Sequence, residues 1–251
     1  MSIPVGLQLY SLREDAAENF VDVLKAVSEM GYDGVEFAGY WDLSAKELTT
    51  LLGDLNLKVA GSHVGFPMLD TKLNEVIEFN LELGNKYVVC PSPTRELYMG
   101  GTAEQWKAFG ERLCSIGEEL NKHGLRLAYH NHSREFDSVD GKYPLDILFD
   151  AAKPENLLAE IDLGWTFHAG VDPIAYFKKY KGRCPLVHIK DFHQGGDQTE
   201  VGTGDIDLKG ITEAAPDVGV EWYIIETERY NMAPRDSVRV GLENLKAVLG
   251  R

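Results

Sequence analysis

The chain has 251 residues, of which 44% are hydrophobic and 26% are charged, enough apolar sequence for a sizeable buried core. Its 40 acidic side chains outnumber 25 basic ones, and the resulting formal net charge of −15 would repel nucleic acids and anionic membranes. The composition therefore predicts an acidic globular domain with neither nucleic acid nor membrane as a partner.

The N-terminal segment MSIPVGLQLYSLRED lacks the basic start, the long apolar run and the cleavage site of a secretory signal. Nowhere does the sequence approach the ~18 consecutive apolar residues of a membrane-spanning helix. The cysteines Cys90, Cys114 and Cys184 are widely spaced and form no CxxC pair, which predicts reduced thiols instead of disulfides or a structural zinc site. We therefore expect a cytoplasmic protein.

Short β-rich runs alternate with amphipathic helical runs, the pattern of a parallel sheet with crossover helices. The predicted strands are, in chain order, Val5–Tyr10, Gly34–Phe37, Lys58–Ser62, Tyr87–Cys90, Leu125–His130, Leu157–Asp162, Leu186–Lys190 and Trp222–Glu226. Eight units in 251 residues give about 31 residues each, the length of one βα unit. We predict an α/β fold, a single (β/α)8 TIM-barrel domain over residues 1–251.

Helix starts and loops agree with this division of the chain. Ser44 with Glu47, and Thr102 with Gln105, form capping-box patterns ahead of apolar helical faces. A doubly wound open sheet is the main alternative, but it would carry a Gly-rich dinucleotide turn after the first strand, and LQLYSLRED has none. The Gly-rich segment His193–Gly204 is predicted to be a mobile active-site loop.

Polar side chains recur at the C-terminal ends of the later predicted strands, where TIM barrels carry their active sites. These side chains are His130 and His132, Asp162, His188 and Lys190, and Glu226. Successive members are about one βα unit apart, so they are expected on neighbouring strands. Imidazole nitrogens and carboxylate oxygens without thiolates suit Mn²⁺, Mg²⁺, Co²⁺ or Zn²⁺. We predict one divalent metal site at the barrel mouth.

Side-chain alternation along the strands supports a common site. His188 lies on the same strand face as Leu186, and Asp162 lies on the same face as Glu160. The opposite face carries apolar residues such as Val187, which suits packing against the helices. The polar groups are therefore predicted to point into the barrel.

The segments that carry these residues are similar to those of a known family. In order, GVEF, GSH, YHNHSREF, EIDLGW, LVHIKD, VGTGDID and WYIIETE resemble the xylose isomerase-like TIM-barrel superfamily, an AP endonuclease family 2-like barrel, in its sugar phosphate isomerase/epimerase-like branch. The resemblance spans nearly the whole chain; GVEF and GSH alone are weak, whereas YHNH, a later D, VHxKD and a strand-ending E are fairly specific together. It implies one metal ion, Mn²⁺ first among the candidates, with Asp162, His188 and Glu226 as three of its ligands.

The first ligand is where this sequence departs from the family pattern, which has a glutamate at the end of strand five. That position falls at or near His130, followed by Asn131 and His132. One imidazole, or Glu135 just beyond, would replace the carboxylate. We favour His132 as the ligand and His130 as an acid/base group, with the reverse assignment left open.

The resemblance implies proton abstraction next to the carbonyl of a keto-sugar or polyol, through an enediolate, as in sugar isomerases and epimerases. His130 and Glu226 are the expected acid/base groups, and Lys190 is expected to protonate or hydrogen-bond an oxyanion. Because one family glutamate is missing, lyase-type elimination on an inosose or a 3-keto-glycoside is the alternative. A non-catalytic binding subunit and an endonuclease are remoter alternatives.

Further residues near the predicted mouth are expected to contact the sugar. These substrate-binding candidates are His63, Glu36, Glu160, Trp165 and Arg229. No Gly-rich phosphate loop is present, which favours an unphosphorylated sugar. The sequence leaves the formation of a homo-oligomer open.

Overall fold

The computed structural model describes residues 2–251. Its strands are β1 Val5–Gln8, β2 Gly34–Phe37, β3 Lys58–His63, β4 Tyr87–Cys90, β5 Arg126–His130, β6 Leu158–Asp162, β7 Leu186–Ile189, β8 Asp191–Phe192, β9 Gln198–Thr199 and β10 Trp222–Ile225. All but β8 and β9 are parallel and close into a barrel in the order β1, β10, β7, β6, β5, β4, β3, β2. The predicted (β/α)8 TIM barrel is therefore confirmed.

Helices connect the strands on the outside of the barrel. They are α1 Arg13–Met30, α2 Ala45–Asp54, α3 Phe66–Thr71, α4 Leu73–Leu83, α5 Arg95–Gly100, α6 Ala103–Lys122, α7 Pro144–Asp150, α8 Leu163–His168, α9 Pro173–Lys178, α10 Leu208–Val218 and α11 Pro234–Val248. Both predicted capping boxes are present, at Ser44 before α2 and at Thr102 before α6. Among the helices of residues 2–251, none is both long and apolar enough to cross a membrane.

The first strand is shorter than predicted. It ends at Gln8, and a 3-10 helix runs from Leu9 to Leu12. The Gln8 side chain accepts a hydrogen bond from the Tyr10 amide at 3.0 Å, and this bond stabilises the turn against strand pairing. Tyr10 is thereby placed in the loop above the barrel.

Two apolar clusters hold the barrel together, one inside it and one between the strands and the helices. The inner cluster comprises Ala60, Tyr87, Val89, Ala128, Leu158, Leu186, Trp222 and Ile224. Val187 and Ile161 belong to the outer cluster, so the predicted alternation of strand faces is confirmed. Because His188 follows Leu186 by two positions, its ring lies on top of this inner cluster.

Candidate active site

Strand register brings the predicted polar side chains to one level. Asp162 is paired with His188 between β6 and β7, and His130 is paired with Glu160 between β5 and β6. A first group of four, His130, Asp162, His188 and Glu226, has ligand atoms that all lie within 4.8 Å of one another. A second group overlaps it and consists of His63, His130, Glu160 and His188.

His130 belongs to both groups and His132 to neither. His130 is the last residue of β5, whereas His132 lies past the strand and is only half-buried. Glu135 is turned away, because it accepts hydrogen bonds from the Tyr129 hydroxyl at 2.8 Å and from the His132 amide at 3.1 Å. His130 thus lies within reach of the other candidate ligands, whereas His132 lines the cavity without belonging to either group.

Asp162 is held in place by the helix that follows it. Its Oδ1 accepts a hydrogen bond from the Trp165 amide at 2.7 Å and so caps the N-terminus of α8. Its own backbone amide donates to Asn131 Oδ1 at 3.0 Å. This contact gives Asn131 a positioning role that sequence reasoning missed. Oδ2 remains directed at the site, 3.8 Å from Nδ1 of His188.

His188 makes contacts with both ring nitrogens. Nδ1 lies 2.9 Å from Glu226 Oε2, and Nε2 lies 2.7 Å from Glu36 Oε2. Although burial alone would lower the pKa of His188, the carboxylates of Glu160 and Glu36 hold it well above its usual value. One nitrogen facing a potential metal and the other facing a carboxylate is typical of histidine ligands in metal sites.

Glu36 and Glu160 lie beneath the cavity and do not line it, in contrast to the substrate contact expected of them. Both are fully buried. Gln8 Nε2 donates to Glu36 at 2.8 Å, and His63 Nε2 lies 2.9 Å from Glu160 Oε2 and 3.2 Å from Glu36 Oε2. Burial would lower the pKa of His63, but these two carboxylates raise it to about 10. His63 itself does line the cavity.

Lys190 places a buried cation next to two of the ligand candidates. Its Nζ lies 2.9 Å from Asp162 Oδ2, 2.9 Å from Glu226 Oε2 and 2.5 Å from Glu228 Oε1. Burial opposes the charged ammonium, yet these carboxylates hold the pKa of Lys190 above its usual value. A Cβ on Gly164 would overlap Lys190 Cβ, so glycine there lets α8 approach the lysine closely.

Asp191 organises the loop after β7, a role that sequence reasoning missed. Its carboxylate accepts hydrogen bonds at 2.9 to 3.2 Å from the backbone amides of Phe192, Gly202, Gly204 and Ile206. Gln198, in the same loop, accepts from the amides of Glu228 and Arg229 after β10. The loop predicted to be mobile is thus tied to the neighbouring strand ends. The sequence signal for this role was Asp191 itself, an aspartate that precedes the GTGD segment.

Trp165 and Arg229 lie outside the metal-ligand groups. The Trp165 indole donates to Glu228 Oε1 at 3.2 Å, and its ring centroid lies 5.0 Å from Lys190 Nζ. Arg229 pairs with Asp197 at 3.1 Å, with 72% of its side chain exposed. Both line a cavity of about 100 Å³ and are not among the residues that line the cavity at the barrel mouth.

The cavity at the barrel mouth has a volume of about 320 Å³, the size of site that takes a small molecule. Its lining residues are Tyr10, Ala38, His63, Pro91, Ser92, His130, His132, Glu226 and Glu228. His130 Nδ1 and Glu160 Oε1 are buried and form no hydrogen bond within residues 2–251. Unpaired buried nitrogen and oxygen atoms beside carboxylates are what a bound cation would satisfy.

Known proteins resemble this chain over most of its length. The family model described as xylose isomerase-like TIM barrel matches residues 24–248. Inosose dehydratase from Lacticaseibacillus casei is 25% identical over 246 residues, covering 82% of this chain and 82% of that protein. The structure of a sugar phosphate isomerase/epimerase from Parabacteroides distasonis ATCC 8503 has a TM-score of 0.85 at 22% identity, covering 98% and 97% of the two chains. A structure of the protein IolI with a zinc atom has a TM-score of 0.78 at 16% identity, covering 99% and 98%.

Proposed function

This chain belongs to the xylose isomerase-like TIM-barrel family, and we propose that it is a divalent-metal-dependent enzyme that removes a proton next to the carbonyl of an unphosphorylated keto-sugar. The observation that carries the proposal is the group formed by His130, Asp162, His188 and Glu226, with ligand atoms within 4.8 Å of one another. Inosose dehydratases among the curated relatives support an enzyme of sugar metabolism.

The donor set fits a divalent ion. Imidazole and carboxylate ligands suit Mn²⁺, Zn²⁺, Co²⁺ or Mg²⁺, and the structurally similar protein IolI was solved with a bound zinc atom. Such an ion would polarise the substrate carbonyl and acidify the neighbouring C–H. His130, Asp162, His188 and Glu226 would hold it, and the oxygens of Asp162 and Glu226 would then be shared with Lys190.

The proton-transfer groups are Glu226 and His132, which both line the cavity. Burial would raise the pKa of Glu226, but Lys190 and His188 hold it well below its usual value, so the carboxylate is ionised and accepts the proton. Burial lowers the pKa of His132 to about 3, so its imidazole is neutral at pH 7. Lys190 is fully buried and acts through Glu226, which it keeps ionised.

Elimination is the reaction outcome that we favour. A glutamate on each face of the substrate would suit epimerisation, whereas strand β5 ends in an imidazole. The similarity to inosose dehydratases also supports a lyase. Isomerisation or epimerisation is the second candidate, because Glu226 and His132 at one cavity provide two groups that could transfer a proton.

Exchange of the substrate proton with solvent tests the proposal directly. Ketoses, inososes and 3-keto-glycosides are incubated with the enzyme and Mn²⁺ in D₂O, and products and recovered substrate are analysed by NMR. We expect deuterium at the carbon next to the carbonyl for isomerisation, or an enone for elimination. If no member of the panel gives either signal, proton abstraction is contradicted.

The variant Glu226→Gln should retain the fold and lose turnover by about 10²- to 10⁴-fold, because the amide cannot accept the proton. Circular dichroism checks the fold, and kcat on the substrate found above checks the activity. Glu213→Gln, at an exposed position on α10, is the matched control and should leave kcat unchanged. A kcat equal to that of the wild type in Glu226→Gln would show that Glu226 is not the base.

A further inference from the structure

A cavity of about 470 Å³ lies on the outside of the barrel, between α7 and the segment 179–183 that follows α9. We call it the outer cavity. It shares no lining residue with the cavity at the barrel mouth, and the reaction proposed above uses none of its side chains. Its volume falls within the range of small-molecule sites in proteins, about 300–1,000 Å³.

The wall of the outer cavity is positively charged, although the chain as a whole has a net charge of −15. The charged lining residues are Lys142, Asp146, Asp150, Lys179, Lys181 and Arg183. Four of them are basic and two are acidic, so positive charge exceeds negative charge by two. Such a local excess in an acidic protein indicates a site that attracts anions.

Asp146 offers little repulsion to an anion, because a cation and two hydroxyl groups already surround it. Its Oδ1 lies 2.9 Å from Lys179 Nζ and accepts hydrogen bonds from the hydroxyls of Tyr176 at 2.8 Å and Tyr180 at 3.1 Å. Lys142, in contrast, is exposed and forms no ion pair within residues 2–251. Its charge is therefore available to a ligand in the outer cavity.

The guanidinium of Arg183 is held in one orientation by backbone carbonyls. Nε donates to the carbonyl of Leu157 at 2.7 Å, and Nη1 and Nη2 donate to the carbonyls of Phe149 and Ala152 at 3.1 Å each. Its Cζ also lies 4.8 Å from the centre of the Phe149 ring. Because a guanidinium has five N–H groups, one N–H on each terminal nitrogen is left for a ligand.

The charge of Arg183 has no counter-ion, although the side chain is half-buried. Burial lowers the pKa of Arg183, and no carboxylate of the described residues forms an ion pair with it. A desolvated charge is unfavourable unless an opposite charge pairs with it, and carbonyl acceptors do not neutralise it. An anion in the outer cavity would supply the missing charge. Arginine binds phosphate groups through paired N–H donors.

We propose that the outer cavity binds a small phosphate monoester, whose phosphate is recognised by Arg183 and Lys142. The two negative charges of the phosphate match the excess of two positive charges on the wall. Phe149, Pro154 and Tyr180 provide apolar surface for the organic part of the ligand. Because the outer cavity shares no lining residue with the barrel mouth, this ligand is distinct from the substrate.

Isothermal titration with glycerol 3-phosphate, and with glycerol as its uncharged counterpart, tests the inference. The wild-type protein should bind one glycerol 3-phosphate per chain and no glycerol at the same concentration. Arg183→Lys keeps the charge but removes the paired N–H groups, and Lys142→Glu reverses an exposed charge. Each should weaken binding at least about 10-fold. Lys209→Glu, the same reversal at an exposed position on α10, is the control and should leave binding unchanged.

Thermal unfolding without ligand shows whether each variant keeps the fold. Since position 142 is exposed, Lys142→Glu remains a valid test if Arg183→Lys is unstable. Absence of saturable binding to the wild type would overturn the proposal, and so would equal binding to the wild type and to Lys142→Glu. Succinate tests the class of anion: if it binds more tightly than glycerol 3-phosphate and loses affinity in the same variants, the assignment to a phosphate is wrong.

Discussion

At the scale of single residues, we propose Glu36 as a positioning residue for the metal. It contacts Nε2 of His188 at 2.7 Å, while Nδ1 of the same ring faces Glu226 and Asp162. A carboxylate on the far nitrogen selects the tautomer and orientation of a histidine ligand. Glu36 would therefore affect metal affinity without touching the ion.

Glu36→Gln should weaken Mn²⁺ binding about 10- to 100-fold, since a neutral amide orients the His188 ring less strongly. Isothermal titration with Mn²⁺ measures the affinity. The matched control is Glu75→Gln, at an exposed position on α4. An unchanged Mn²⁺ affinity in Glu36→Gln would contradict the positioning role.

Glu135 should make stability depend on pH. Burial raises its pKa to about 7 in the folded protein, from about 4.5 when exposed. A raised folded-state pKa means that the stabilising contribution is complete below pH 4.5 and is lost as the pH rises through 7. The change is up to about 3 kcal/mol for a shift of this size.

Glu135→Gln removes this titration. Denaturant unfolding at pH 5 and pH 8 should therefore show a smaller loss of stability in the variant than in the wild type. Equal losses in both proteins would contradict the raised pKa of Glu135. Metal is omitted from both titrations so that ligand protonation is the same in the two chains.

Residue types and strand faces at the site were predictable from the sequence. How deeply each side chain lies below the barrel mouth was not. Alternation placed Glu36, Glu160 and His188 near the mouth, yet only the three-dimensional packing shows that both glutamates lie beneath it. His130 and His132 share a face by alternation. The choice between them depends on where β5 ends: the strand stops at His130, and a 3-10 helix over Ser133–Phe136 begins directly after His132.

At the scale of elements, the loop after β7 depends on Asp191. One carboxylate satisfies the amides of Phe192, Gly202, Gly204 and Ile206, which ties the loop to the end of β7. Glycine at position 204 suits the close approach, because a Cβ there would overlap the Asp191 carboxylate. The spacing of VGTGDID is thus explained by an internal anchor.

Asp191→Asn should loosen the loop, because its amide nitrogen cannot accept the backbone hydrogen bonds. We expect faster hydrogen exchange over residues 192–206 and a loss of stability of about 1–3 kcal/mol. Asp197→Asn, in the same loop but exposed, is the control and should leave exchange unchanged. Hydrogen exchange at the wild-type rate in Asp191→Asn would contradict the anchoring role.

Element boundaries followed from the sequence where periodicity and caps agreed. The strands Gly34–Phe37 and Tyr87–Cys90 have the predicted bounds, and both capping boxes start helices. Strand β1 was predicted two residues too long because the Gln8 side chain accepts a hydrogen bond from the Tyr10 amide and so starts a turn, which periodicity does not reveal. The short β8 and β9 pair was not predicted, since two-residue strands have no readable period.

At the scale of the whole molecule, part of the net charge of −15 is concentrated at one end of the barrel. Glu36, Glu160, Asp162 and Glu226 are all buried there, beside histidines and Lys190. Buried carboxylates at this density are unfavourable unless cations are present. The fold was predictable because eight repeats encode it redundantly, whereas this charge arrangement depends on contacts between distant repeats.

Metal stoichiometry tests the central claim most directly. Wild-type protein, Glu213→Gln, His130→Ala and His132→Ala are equilibrated with Mn²⁺, freed of unbound metal and analysed by inductively coupled plasma mass spectrometry. We predict one ion per chain for the wild type, Glu213→Gln and His132→Ala, and a marked loss for His130→Ala. Wild-type protein without a stoichiometric ion would contradict the metal-dependent mechanism, and loss of the ion in His132→Ala alone would assign the strand-five ligand to His132.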